Sequence, residues 1–195
     1  MSLLVVAALR EEAVYVDGSV EVLVTGVGKA LAAATLASRL ADPSAARPDL
    51  VVNIGTAGAL SWSLAGVYDV DVVTQHDFPY AVIEGLVDAA PPRGYRLGPA
   101  GPPVAVGSVE GSCVLGTGDT FVSDPAAAMA LAGRGIHLVD MEGYGFATTC
   151  AAFGVPLRCV KAVSDRADAD AAGSWLDLID GCAAALGEWV RRELG

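Results

Sequence analysis

The chain has 195 residues, 53% of them hydrophobic and 18% charged, and carries a net charge of −11. This composition excludes a disordered chain and suits one domain, residues 1–195, with a sizeable core. The acidity excludes a nucleic-acid partner, because phosphate binding needs clustered Lys and Arg, and lysine occurs only at Lys29 and Lys161.

In chain order, "LLVVAAL" (Leu3 to Leu9) is short, β-branched and uninterrupted, as a strand covered on both faces should be. It lacks the basic start of a signal peptide. "AVYVDGSVEVLVTG" (Ala13 to Gly26) splits at Asp17-Gly18, which predicts a hairpin. "GKALAAATLASRLA" (Gly28 to Ala41) predicts a helix closed off by Pro43 and Pro48. "LVVNIGTAG" (Leu50 to Gly58) predicts a buried strand ending in a glycine turn. "YDVDVVTQ" (Tyr68 to Gln75) and "SCVLGTGD" (Ser112 to Asp119) predict two more strands. The Gly- and Pro-rich stretch between Phe78 and Gly111 predicts a long surface loop or lid.

Asp124-Pro125 starts a helix through Ala132, with Asp as N-cap and Pro in the first turn. "GIHLVD" is a strand, Met141 to Phe153 a helix ended by Gly154 and Pro156, and Pro156 to Asp165 another buried strand. Trp175, Leu178, Ile179, Cys182, Leu186, Trp189 and Val190 recur at helical spacing in an amphipathic closing helix. Strands apolar throughout imply a sheet covered on both faces. The expected class is α/β, a three-layer α/β/α sandwich around a central mixed, mostly parallel sheet.

No apolar run reaches the ~18 residues needed to span a membrane. Cys113, Cys150, Cys159 and Cys182 show no CxxC spacing and lie in apolar runs, so free buried thiols in a reducing cytoplasm are expected. His76 and His137 are far apart and share no motif with the cysteines, so neither a metal nor a cofactor is expected. His76 and Asp77 open the 78–111 loop, and the histidine is expected at the surface. "GVGK" (Gly26 to Lys29) fails as a phosphate loop, with one residue between the glycines and Ala30 in place of Ser/Thr. It suits a strand-to-helix turn with close backbone approach.

Acidic residues fall repeatedly at the C-terminal ends of predicted strands: Glu11, Glu12, Asp119, Asp140, Glu142 and Asp165. In an open α/β sheet that edge holds the ligand crevice. Any one acid could cap a helix, and Asp140 and Glu142 both suit a helix N-terminus. Several on one edge suit acid/base work on a polyhydroxyl or nitrogen-rich substrate, with "GTAG" and "GTGD" letting a ligand approach the backbone.

"GVGKALAAATLA", "VVNIGTAGAL", "TGDTFVSD", "VDMEGYGFA" and "VKAVSDRADAD" resemble, in order and approximate spacing, the nucleoside phosphorylase superfamily. They look most like its 5'-methylthioadenosine/S-adenosylhomocysteine nucleosidase branch. The resemblance covers most of the chain, with a gap around Phe78 to Gly111. It implies a nucleoside phosphorylase-like fold, a small-molecule purine nucleoside as substrate, and a homodimer. It further implies that Asp165 protonates purine N7 with Ser164 orienting it, and that Glu12 activates the water attacking C1'. Glu142 would bind the ribose hydroxyls with Met141 against the sugar. Phe121 would stack on the base and the Val122 backbone would read its edge. Thr56, Ala57 and Gly58 would lie near the sugar and nucleophile, and Lys161 would stand where an Arg near the attacking water is typical.

These residue types suit the chemistry. Adenine leaves poorly until N7 takes a proton, a carboxylate stabilises an oxocarbenium-like sugar, and a Glu can accept from both hydroxyls of a cis-diol. Phosphorolysis would need basic residues around phosphate. Asn53 stands where the phosphorylase branch carries an Arg, so hydrolysis of a 5'-modified adenine nucleoside such as methylthioadenosine or S-adenosylhomocysteine is expected. A phosphorylase, a hydrolase of another purine nucleoside such as futalosine, and a non-catalytic nucleoside-binding protein remain alternatives. The chain is short for the branch after Glu12, and Leu9 replaces a usual Met.

Overall fold

The computed structural model describes residues 2–61 and 63–195. Its ten strands are β1 (Leu3–Ala7), β2 (Glu21–Val24), β3 (Leu50–Ala59), β4 (Val67–Asp69), β5 (Val72–Gln75), β6 (Gly94–Arg96), β7 (Val104–Val106), β8 (Val114–Thr117), β9 (Leu138–Asp140) and β10 (Leu157–Asp165). The helices are α1 (Lys29–Ala41), α2 (Tyr80–Glu84), α3 (Pro125–Ala132), α4 (Gly143–Phe153) and α5 (Ala171–Leu194), with a 3-10 turn at Arg10–Ala13. All ten strands join one mixed sheet in the order β2-β1-β3-β9-β8-β5-β6-β7, with β10 pairing β3 and β4.

Side chains alternate across the strands, so the two faces build separate apolar layers. On one face Leu4, Val6 and Val51 pack with Ala32, Leu36, Phe146 and Cys150 of α1 and α4. On the other, Val5, Val52 and Ile54 meet Cys182, Leu186 and Trp189 of α5, while Val72 and Val114 meet Ala128 and Leu131 of α3. The result is the expected three-layer α/β/α sandwich. The four cysteines are buried and free. Among the described residues no helix is long and apolar enough to cross a membrane.

Four expectations change. The glycine turn expected at the end of "LVVNIGTAG" does not form, because β3 stays extended and paired through Ala59. The Asp17-Gly18 hairpin does not form: β2 runs parallel to β1. Asp17 Oδ1 accepts from the Ser19 amide at 2.8 Å, making a local Asx turn, and Val16 and Val20 pack beside Ala13 under α5. "YDVDVVTQ" is two strands, because β4 pairs antiparallel with β10 whereas β5 pairs parallel with β8. The 78–111 stretch is not a bare loop. It holds α2, β6 and β7, and the two strands extend the sheet antiparallel from β5.

The site is positioned by a gap beside β3. β1 pairs with it only as far as Asn53, and β9 joins the sheet antiparallel at Gly58. Residues 54–57 therefore have β10 on one side and no strand on the other. Such a change of partners in an α/β sheet opens a crevice at the strand ends.

Candidate active site

The 3-10 turn after β1 projects into this gap and brings Glu12 with it. Glu12 is 4% exposed. Its Oε1 accepts from the Thr56 amide at 2.8 Å and the Thr56 hydroxyl at 2.9 Å, and its Oε2 accepts from the Leu9 amide at 3.1 Å. The carboxylate thus satisfies a backbone N–H that the missing strand leaves unpaired.

Asp140 and Glu142 flank the start of α4 but divide their duties. Asp140 does the structural work: its Oδ2 accepts from the Gly143 amide at 2.9 Å and its Oδ1 from the Thr117 hydroxyl at 2.6 Å. The Glu142 side chain makes no cap bond to its own helix. Its Oε1 accepts instead from the Gly28 amide at 2.9 Å, in the turn between β2 and α1. Gly28 reaches this geometry at φ 100°, where a residue with a Cβ would be strained. Burial, and then the neighbouring Asp140 carboxylate, push the Glu142 carboxyl up to about 7.

Asp165 ends β10. Its Oδ2 accepts from the Ser164 hydroxyl and its Oδ1 from the Ala167 amide, both at 2.8 Å. Ala167 sits in the left-handed region at φ 51°, a conformation costing ~1–2 kcal/mol, and the amide this turns toward Asp165 fixes the carboxyl plane. Gly58 lies alongside: a Cβ there would stand 2.7 Å from Asp165 Oδ1.

These groups surround one cavity of about 270 Å³, close to the lower end of small-ligand pockets (~300–1,000 Å³). Glu12, Glu142 and Asp165 line it, with Met141, Ser164, Thr56, Ala57 and Gly58 between them. Phe121 and Val122 form a wall, and Phe121 is 47% exposed at the mouth. Ten of the eleven residues expected at the site thus share one cavity.

Lys161, expected to bind ligand, is the exception. It does not line the cavity and is 1% exposed. Its Nζ pairs with Asp140 Oδ2 at 2.9 Å, passing over Gly55, where a Cβ would lie 3.1 Å from both Lys161 Nζ and Glu12 Oε1. Burial opposes this ammonium, but Asp140, then Cys159, Glu142 and Glu12 outweigh it and hold its pKa above the ordinary lysine value.

His76, expected at the surface, is half-buried. Its ring packs where a Cβ on Gly118 would stand, and its Nε2 is buried without a partner among the described residues. Asp77 accepts from Lys29 Nζ at 2.6 Å. Trp175 was missed as a site residue, because helical spacing reads it as core. It lines the cavity and its indole donates to Thr56 Oγ1 at 3.0 Å.

Chemically, the cavity offers four carboxyl groups in distinct settings, Asp140 already engaged by Thr117, Gly143 and Lys161 and the other three without a basic partner among the described residues, together with an aromatic wall and no basic side chain among its lining residues. It can move protons and accept hydrogen bonds from hydroxyls, and it disfavours an anionic reactant.

A model of the phosphorylase superfamily matches residues 13–188. The 5'-methylthioadenosine/S-adenosylhomocysteine nucleosidase of Shewanella putrefaciens is 30% identical over 171 residues, covering 77% of this chain and 70% of the relative. The protein of the same name from Geobacillus kaustophilus is 30% identical over 166 residues, covering 74% and 67%. Among solved structures, the Helicobacter pylori 5'-methylthioadenosine/S-adenosyl homocysteine nucleosidase in complex with a pyrrolidine compound superposes with a TM-score of 0.81 at 20% identity, covering 98% of this chain and 97% of that one. A futalosine hydrolase mutant of the same organism reaches 0.80 at 18% identity, over 98% and 97%. These likenesses establish the fold.

Proposed function

We propose, from the premise that this chain belongs to the phosphorylase superfamily, that it is a purine nucleosidase hydrolysing the N-glycosidic bond of a 5'-modified adenine nucleoside. The observation that carries this reading is that Glu12, Glu142 and Asp165 line one cavity beside Phe121. Relatives named 5'-methylthioadenosine/S-adenosylhomocysteine nucleosidase support the substrate class.

In this mechanism Phe121 stacks on the purine and the Val122 backbone meets its edge. Asp165, oriented by Ser164 and the Ala167 amide, donates a proton to N7, so the base leaves neutral with the glycosidic electron pair. Glu142 accepts hydrogen bonds from the ribose hydroxyls, and Met141 packs against the sugar. Glu12 takes a proton from the water that attacks C1', beside Thr56, Ala57 and Gly58. The C1'–N bond breaks, a C1'–O bond forms, and the products are free adenine and the sugar. Lys161 acts from behind the cavity by neutralising Asp140. No basic side chain lines the cavity, which supports water over phosphate as the nucleophile.

The protein acts as a homodimer in the cytoplasm. Val27 and Phe121 at the cavity rim and Leu31 in the first turn of α1 are 44%, 47% and 55% exposed, and a second copy would cover them. The buried free thiols suit a reducing compartment. Sedimentation reads the oligomer directly.

The test is chromatographic release of free base from methylthioadenosine, S-adenosylhomocysteine, 5'-deoxyadenosine and futalosine, with and without phosphate. Adenine release without phosphate is expected. No release from any of the four would sink the proposal, and strict phosphate dependence would make the chain a phosphorylase.

A further inference from the structure

Trp175 lies at the start of α5, where helical spacing reads it as a core residue. It belongs instead to the cavity wall, and its one polar atom is engaged. The indole Nε1–H donates to Thr56 Oγ1 at 3.0 Å, and the Thr56 hydroxyl donates to Glu12 Oε1 at 2.9 Å. The Thr56 amide also donates to Oε1, at 2.8 Å.

The direction of this chain follows from donor and acceptor capacity. An indole N–H can only donate. Thr56 Oγ1 must therefore receive it, and its single hydrogen goes to the carboxylate. Oε1 then accepts two hydrogen bonds and Oε2 only one, from the Leu9 amide at 3.1 Å. A carboxylate oxygen offers about two lone-pair sites. Oε1 is filled, and Oε2 keeps one site open.

We propose that Trp175 is a positioning residue: acting through the Thr56 hydroxyl, it occupies Glu12 Oε1 and leaves Oε2 as the oxygen that takes the proton of the attacking water. The proposal rests on the nucleosidase reading above. Without the indole, the Thr56 hydroxyl is free to rotate toward a nearby backbone carbonyl, as Ser and Thr hydroxyls readily do. Glu12 would then present two competing acceptor sites, and the water would lose a defined partner.

Two measurements test it. The chain has three tryptophans, so a ¹H–¹⁵N spectrum of the whole protein carries an indole signal from each. Thr56→Val removes the acceptor, and should shift the indole signal that Trp175→Phe deletes. An unmoved signal overturns the hydrogen bond, whether or not the protein turns anything over.

In base release, Trp175→Phe should lower kcat about tenfold, the loss expected for one hydrogen bond felt in the transition state, with KM changed less than about threefold. Added to Thr56→Val, it should cost less than about twofold more, because the indole acts only through that hydroxyl. A raised KM with kcat unchanged would mean that the indole is merely wall, and additive losses would mean that it acts by another route. If wild type releases no base, the underlying reading has failed, and the relay's catalytic role falls with it.

Discussion

Glu142 carries a carboxyl whose charge is opposed by its surroundings. Its carboxyl sits at about 7, raised first by burial and then by Asp140, from an ordinary 4.5. Below pH 4.5 folded and unfolded chains are both protonated and the group is neutral to stability. Between 4.5 and about 7 the folded chain keeps a proton that the unfolded chain has lost, so stability falls as pH rises. Above about 7 the loss is complete, on the order of 3 kcal/mol. Glu142→Gln preserves the carbonyl that accepts from Gly28 and removes the charge. Its melting temperature should exceed wild type at pH 8 and converge with it toward pH 5; parallel curves would contradict the raised value. At pH 8, where Glu142 is ionised, the same variant should raise KM roughly 10- to 100-fold, since it replaces charge-assisted hydrogen bonds to the sugar. Asp165→Asn should lower kcat by about 10²–10⁴ while nucleoside binding, read by calorimetry, is largely retained; unchanged kcat would refute the proton-donor role. These acids were legible because charge is scarce in this sequence and falls at strand ends. Trp175 was not, because an aromatic at helical spacing looks like core until its indole finds Thr56. Lys161 was misread because spacing says nothing about which face of a strand is closed.

The elements matter through how closely they approach. α1 and α4 cross with Gly145 at the contact: a Cβ there would lie 2.7 Å from the Lys29 carbonyl oxygen and 3.4 Å from Ala32 Cβ. The backbone amide that holds Glu142 belongs to Gly28, one residue before α1. Gly145→Ala should therefore push α1 outward. It should cost about 1–3 kcal/mol of stability, read as a lower urea midpoint, and also raise KM. A midpoint equal to wild type would show that the crossing has slack. Elements buried on both faces, such as β1, β3, β8 and β10, were legible as uninterrupted apolar runs. The Asp17-Gly18 signal failed because a turn motif is local, whereas the parallel pairing of β1 and β2 is set by distant packing. β6 and β7 were hidden because each is three residues long, and Val104 and Ala105 of the outer strand are exposed. Backbone pairing of β6 with β5 and of β7 with β6 holds them, and no hydrophobic period announces it.

At the scale of the molecule, the central device is a sheet that parts beside β3 and fills the parting with carboxylates. One buried cation offsets them. The Lys161–Asp140 pair joins β10 to the end of β9 beneath the cavity floor, at 1–2% side-chain exposure. Removing one partner strands the other charge, so Lys161→Met should cost about 3–5 kcal/mol in urea unfolding at pH 7, and Lys161→Met with Asp140→Leu should recover part of it. A loss below about 1 kcal/mol for the single variant would show the pair to be dispensable. If this cavity passes a glycosidic bond to water, the oxygen added at C1' comes from the solvent. The most direct measurement is to incubate the protein with methylthioadenosine in ¹⁸O-labelled water without phosphate and weigh the sugar product. Free adenine and a sugar carrying the label at C1' are expected. No base release, or a sugar phosphate formed only when phosphate is added, would contradict it.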